Sequence, residues 1–320
     1  MSSVEELIVV KDLKKHFRQI KAVDGVDFGV RKGEVFSLLG PNGAGKSTTI
    51  RMLTTVLTAD GGNATVSGHN IATEEGKVAI RRLIGVCPQE ITIYDDLTAQ
   101  ENTAFVAKMH EMRSEEAHSK ASALLEKLGL AARKDRTKNF SGGMKRRLNL
   151  AMALVHEPRI AFLDEPTAGL DPQASRAVWD IIRSLKDSGM TVVLTTHDMD
   201  EADAVSDHVA IIDNGKIIAY GTPDELKEQF GSGNIIEIGF FDQERLDAAR
   251  EKIEGMDAAT KVTVFGERKL LVTFSGGMKT FFRILNESIE NVDDIESMSF
   301  RQNSLEDVFL HLTGRRLRDN

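Results

Sequence analysis

Gly40-Pro41-Asn42-Gly43-Ala44-Gly45-Lys46-Ser47 fits the phosphate-binding pattern G-x-x-x-x-G-K-[ST] at every fixed position. The apolar run before it, Glu34–Leu39, reads as a short buried strand, and Thr48–Leu53 after it reads as a helix. Strand, glycine loop and helix together separate a phosphate loop from a glycine-rich turn that happens to end in lysine. The glycines let the main chain wrap closely around phosphate oxygens with its N–H groups inward, and the helix N-terminus adds partial positive charge. Lys46 is placed to reach the outer phosphates, and Ser47 to ligate Mg²⁺.

Hydrophobic runs alternate between strand-like and helix-like periods through about residue 230, the pattern of an α/β domain. Val9–Phe17 and Val23–Val30 read as early strands, and 98–130 and 141–156 as helical. Ile160–Leu163 is a short apolar strand ending in Asp164-Glu165, and Thr191–Thr195 is another ending near His197. Asn214-Gly215 between two apolar runs predicts a hairpin. Thr222-Pro223-Asp224-Glu225 then opens a helix. Gly231–Asn234 reads as a linker. Beyond it the order is strand (235–240), helix (243–254), strand (261–265), strand (269–274), helix (278–290), strand (296–301), which is the ferredoxin-like order, and a last helix over about 304–313. Residues 314–320 read as a basic, solvated tail.

The chain's 320 residues carry 41% hydrophobic and 28% charged side chains, which suits one large or two ordinary domains. No apolar run approaches the roughly 18 residues of a membrane helix, and the first residues lack the regions of a signal peptide. The single cysteine, Cys87, excludes an internal disulfide, suits the cytosol and reads as a small buried hydrophobe. A net charge of −8 argues against broad nucleic-acid binding, and the eight histidines show no metal-ligand spacing.

Two further stretches bear on chemistry. An aspartate at the end of a buried strand, as in Phe162-Leu163-Asp164-Glu165, can hold Mg²⁺ through water, and the glutamate beside it can polarise an attacking water. Taken alone, an acidic strand end that caps the next helix reads the same way. In Phe140-Ser141-Gly142-Gly143-Met144, Ser141 caps the following helix and the two glycines expose its first N–H groups, a second anion site. Phe274–Lys279 repeats Phe140–Lys145 letter for letter. It has no phosphate loop before it in its own domain and no Asp-Glu strand after it, so it reads as a decoy.

With these motifs the chain resembles the ATP-binding subunit of an ABC transporter. The resemblance covers residues 5–230 and implies a P-loop NTPase core with a helical subdomain over about 90–155; the strand and helix order beyond it reads as an α+β accessory domain over 235–313. The family usually has Leu-Ser-Gly-Gly-Gln where this chain has Phe140 and Met144 at the two ends. The resemblance implies ATP contacts from Gly40 through Thr48, with Phe17 stacking on adenine and Gln89 sensing Mg²⁺. Ser47, Gln89 and, through water, Asp164 would hold the metal. Glu165 would be the general base, and Lys46 and His197 would stabilise the terminal phosphate. It further implies a head-to-tail homodimer in which Ser141, Gly142, Gly143 and Met144 of one subunit face the other's phosphate loop, with Asp171 of Ala168–Asp171 in the loop crossing the interface.

Ser-Gly-Gly-Met followed by Arg-Arg-Leu, Thr98–Asn102, and Ser304–Gly314 are similar to the daunorubicin-resistance type of prokaryotic export ATPase. That implies efflux of a drug-like or amphiphilic compound through a separate membrane subunit, with this chain peripheral on the cytoplasmic face of the cell membrane. Glu90–Asp96 is the candidate segment for receiving the partner. The competing expectation is a soluble ABC ATPase that moves no solute. For 235–313, a dimer-stabilising appendage is favoured over a ligand-sensing domain.

Overall fold

The computed structural model describes residues 5–230, 233–257, 259–265, 268–274, 276, 278–288, 294–301 and 303–314. The chain divides into two compact units, Met1–Thr222 and Pro223–Asn320. In the first unit the strands and helices follow as β1 (Glu6–Phe17), β2 (Ile20–Arg31), β3 (Val35–Leu39), α1 (Lys46–Leu53), β4 (Gly61–Val66), β5 (His69–Asn70), α2 (Glu74–Leu83) and β6 (Ile84–Cys87). Next come α3 (Ala99–Met109), α4 (Ser114–Lys127), α5 (Gly142–Leu154), β7 (Ile160–Asp164), α6 (Pro172–Asp187), β8 (Thr191–Thr196), α7 (Met199–Val205), β9 (His208–Asp213) and β10 (Lys216–Gly221).

Two sheets result. β2-β1-β4-β5 is antiparallel, and β10-β9-β3-β8-β7-β6 is parallel except for its β10 edge. All residues of β3, β7 and β8 are buried, as strands covered on both faces must be. Successive side chains alternate between two cores. Phe36, Leu38, Ile160, Phe162 and Val193 pack with α1 and the antiparallel sheet. Val35, Ala161, Leu163, Val192 and Leu194 pack with α5 and α6. Phe36 stacks on Phe28 at 5.1 Å between centroids. Buried Cys87 lies in the second core, and burial pushes its thiol up to about 11.

The β9–β10 hairpin turns at Asn214 (φ 48°) and Gly215 (φ 76°), both left-handed as the two-residue turn demands. The stretch 98–130 is two helices rather than one. Thr98 caps α3 with a reciprocal capping box to Glu101, and the chain leaves the helix beyond Met109, with Glu111 at φ 63°. The segment β4–β5–α2–β6 fills residues to which the sequence pattern assigned no elements.

The second unit contains α8 (Pro223–Phe230), β11 (Asn234–Phe240), α9 (Gln243–Glu254), β12 (Ala259–Phe265), β13 (Lys269–Phe274), α10 (Met278–Ser288), β14 (Ile295–Arg301) and α11 (Leu305–Thr313). Its antiparallel sheet runs β12-β13-β11-β14, with Ile236, Ile238, Leu270 and Val272 packed against Leu246, Ile253 and Ile284 of α9 and α10. The division falls at Thr222/Pro223 and not after 230, because α8 packs against α11. Ser304 caps α11 in a box with Asp307, and Gly314 ends it in the left-handed region. Of the decoy motif, Ser275 and Gly277 lie outside the described residues, as do Gly231, Ser232 and 315–320 of the tail.

Candidate active site

Three neighbouring parallel strands, β3, β8 and β7, end on the same side of the sheet, and their C-terminal ends carry the site. The loop after β3 is set by close packing. A Cβ on Gly40 would come to 2.1 Å of the Ile212 carbonyl oxygen. Gly45, at φ 108°, sits 2.3 Å by the same measure from the Ala22 carbonyl oxygen, so only glycine fits there. Pro41, Ala44 and Lys46 are buried, Ser47 and Thr48 half-buried, and Asn42 and Gly43 exposed at the lip.

Lys46 folds back over this loop. Its Nζ donates to the carbonyls of Gly40 at 2.7 Å and Pro41 at 3.0 Å and lies 3.1 Å from Glu165 Oε1. Ser47 donates its hydroxyl to Asp164 Oδ1 at 2.9 Å. Thr195, at the end of β8, donates to the same Oδ1 at 2.5 Å and accepts the Glu165 N–H at 3.1 Å. Thr195 therefore fixes both Asp164, the last residue of β7, and Glu165 just beyond it, a role that nothing in the primary pattern announced.

Glu165 is 4% exposed and holds φ at 51°, uncommon for a residue with a Cβ. Its Oε2 accepts from His197 Nδ1 at 2.5 Å. Burial opposes ionisation of Glu165. The hydrogen bond from His197 and the charge of Lys46 outweigh it and hold the carboxyl below the usual glutamate range. Conversely, the bond to Glu165 raises His197 despite partial burial and the nearby Lys46. Because Nδ1 serves Glu165, the Nε2 edge of the exposed ring is the one turned to other partners. The arrangement offers a cationic amine, a hydroxyl–carboxylate pair and an ionised carboxylate within one buried corner. That can bind polyphosphate and activate water.

The other expected site residues stand apart from this corner. Phe17 is exposed at the end of β1, with Lys15 Nζ 5.6 Å from its ring centroid. The Gln89 side chain is exposed, and its carbonyl accepts from Arg146 at 3.0 Å. Ser141 is exposed and caps α5 by accepting the Met144 N–H at 3.3 Å. Gly142 faces open space, and Met144 packs on the lobe's own core beside Phe140. Asp171, also exposed, caps α6 through the Ala174 N–H at 2.9 Å. The sequence reading missed Arg146, which is buried and joined to the carbonyls at the ends of β6 and β7. Its position among Lys145, Arg146 and Arg147 gave no signal that separates it from its two basic neighbours.

The Glu165–His197 pair fixes a pH window. The raised histidine contributes stability that is complete below its ordinary 6.5 and is lost as pH climbs through its folded value. The lowered glutamate contributes above its ordinary 4.5 and loses that contribution as pH falls through its folded value. Histidine NMR titration of the nucleotide-free protein therefore gives His197 a pKa above 6.5 that drops in Glu165→Gln. An unchanged His197 titration in that variant contradicts the pairing.

The "ABC transporter" family model matches residues 23–168, and an AAA-domain model matches 136–203. The linearmycin resistance ATP-binding protein LnrL of Bacillus subtilis (strain 168) is 39% identical over 315 residues, 98% of this chain and 100% of that protein. The daunorubicin/doxorubicin resistance ATP-binding protein DrrA of Streptomyces peucetius is 41% identical over 309 residues, 96% of this chain and 92% of that one. Among solved structures, cbiO1 from Clostridium perfringens, part of the ABC transporter complex cbiONQ, superposes with a TM-score of 0.65 at 27% identity, covering 70% of this chain and 92% of its own. A dimeric post-hydrolysis ATP-binding cassette, MJ0796 with ADP and Pi, gives 0.61 at 25% identity, covering 67% and 98%. With such identity held along nearly its whole length and a P-loop core of matching fold, the chain belongs to the ABC transporter family as an ATP-binding, ATP-hydrolysing subunit.

Proposed function

We propose that the chain powers export of a drug-like or amphiphilic compound through a separate integral-membrane subunit. The observation that carries this reading is the near-full-length similarity, second unit included, to two proteins named for resistance to linearmycin and to daunorubicin/doxorubicin. Among the described residues no helix is long and apolar enough to cross a membrane, so the reading assigns the path to a partner and places this chain peripherally on the cytoplasmic face. A hollow of about 410 Å³ in the helical lobe supports a docking role for residues 90–96, because Tyr94, Phe105 and Met109 stand exposed around Thr92 and Ile93.

In this reading ATP replaces contacts that the protein makes with itself. Lys46 exchanges the carbonyls of Gly40 and Pro41 for outer phosphate oxygens, and the N–H groups of residues 43–48 surround the phosphates. Departure of Lys46 leaves Glu165 Oε1 free to take a proton from water, while Oε2 keeps His197 oriented with Nε2 toward the terminal phosphate. The Ser47 hydroxyl and the Asp164 carboxylate, 2.9 Å apart, are hard oxygen donors that fit Mg²⁺, with Gln89 as an additional ligand. Among the described residues no three acidic, histidine or cysteine side chains cluster for a metal. That suits an ion held by one or two protein oxygens and by phosphate. When bound, Mg²⁺ neutralises charge on the phosphate oxygens. Phe17 supplies a face for the adenine. Ser141, Gly142, Gly143 and Met144, exposed or half-buried at the start of α5, and Asp171 before α6 meet a second copy head to tail.

For the second unit we infer the ferredoxin-like fold and a role in steadying the dimer. Its β-α-β-β-α-β order and its antiparallel β12-β13-β11-β14 sheet support the fold.

Two experiments test this reading. Glu165→Gln lowers ATP turnover about 10²–10⁴-fold with ATP binding retained, and wild-type turnover in that variant removes Glu165 as the base. Affinity capture from detergent-solubilised membranes of the native host recovers a stoichiometric polytopic membrane protein. Recovery of this chain alone, or of ribosomal or repair proteins with it, favours a soluble ABC ATPase instead.

A further inference from the structure

Arg146 lies in the second turn of α5, the helix that Ser141 caps, and is 2% exposed. Its side chain leaves the helical lobe and ends among main-chain carbonyls of the parallel-sheet core. Nε donates to Pro166 O at 2.6 Å. Nη1 donates to Pro88 O at 2.8 Å and Gln89 O at 3.0 Å. Nη2 donates to Asp164 O at 3.0 Å and to the Glu165 carbonyl. A guanidinium has five N–H donors, and here each finds a carbonyl.

The five acceptors are not scattered. They come from two segments, the chain just past β6 and the chain at the end of β7. These segments present the side chains of Gln89, Asp164 and Glu165. Glu165 sits at a positive φ that a residue with a Cβ adopts only when its surroundings hold it there. The carbonyls of Asp164, Glu165 and Pro166 all converge on Arg146, so the guanidinium is the fixture that turns this stretch of main chain. A lysine offers three donors on a point charge and lacks the planar fork that spans both segments.

We propose that Arg146 is a positioning residue for hydrolysis: through five hydrogen bonds from its guanidinium to main-chain carbonyls it ties the helix behind Ser141-Gly142-Gly143 to the strand ends bearing Glu165 and Gln89, so that the placement of the helical lobe sets the placement of the base. A shift of α5 relative to the core then moves the Glu165 main chain directly. The inference rests on the reading of Glu165 as the group that activates water.

The test compares the full-length wild type, Glu165→Gln, Arg146→Lys and Arg146→Ala for ATP turnover and for ATP affinity. A misplaced base lowers kcat and leaves nucleotide binding alone. The expected result for Arg146→Lys is a kcat about 10–100-fold lower, with ATP affinity within about twofold of wild type. Arg146→Ala, the second variant should the lysine form not fold, is assayed with and without low-millimolar guanidinium, which restores part of its turnover. Wild-type kcat in Arg146→Lys overturns the inference, as does a parallel loss of affinity and rate. Turnover in Arg146→Ala that guanidinium does not restore, or failure of both variants to fold, also overturns it and assigns Arg146 to stability alone. Slow Glu165→Gln beside normal Arg146→Lys removes only this inference. Normal Glu165→Gln removes the reading beneath it.

Discussion

Two carboxylates and an ammonium are buried at the ends of adjacent strands, and the architecture around them follows from the need to keep those charges compensated. Lys46 and Glu165, each 4% exposed, stand 3.1 Å apart. An uncompensated buried charge costs about 3–5 kcal/mol when one partner is removed. Every charge here has more than one tie: Lys46 also has two loop carbonyls, Glu165 has His197, and Asp164 has the hydroxyls of Ser47 and Thr195. Only the strand order β3-β8-β7 brings these groups together, because it sets the loop after β3, the Thr195–His197 turn and the Asp164-Glu165 end side by side. Each contact of the Lys46 ammonium is to an oxygen, the kind of acceptor that a phosphate group also offers.

How far the sequence revealed this depends on how local each feature is. The phosphate loop, the Asp164-Glu165 strand end and the Asn214-Gly215 hairpin are contiguous, and their conformations follow from the residues within them. The strand and helix order of the second unit was likewise legible, since its alternation of periods is regular. Thr195 was read only as the end of a strand, because its importance arises from Asp164 and Glu165 some 30 residues away in sequence. Arg146 looked like one more base in Lys145-Arg146-Arg147, and only the fold separates it from its two half-buried neighbours. The break between α3 and α4 hides because both helices share an apolar face, and the affiliation of α8 hides because its partner, α11, is about 75 residues further along.

The helical lobe and the core are joined in this structure by main-chain chemistry rather than by side-chain ion pairs at the site. α5 begins with an exposed cap at Ser141, and within two turns it inserts a buried guanidinium under the strand ends. One end of that helix is thus free to meet a partner, and its next turn is locked to the residues proposed to hydrolyse ATP. In the proposed reading, the loop after β3 and the exposed, Ser141-capped start of α5 are the two half-sites of one nucleotide site.

Light scattering on Glu165→Gln with ATP and Mg²⁺ shows whether a second copy completes them. The account predicts a dimer with ATP, a monomer with ADP, and a monomer with ATP when Ser141 is also changed to bulky, charged glutamate. A Glu165→Gln protein that binds ATP yet stays monomeric, or a dimer indifferent to both nucleotide and Ser141, contradicts it.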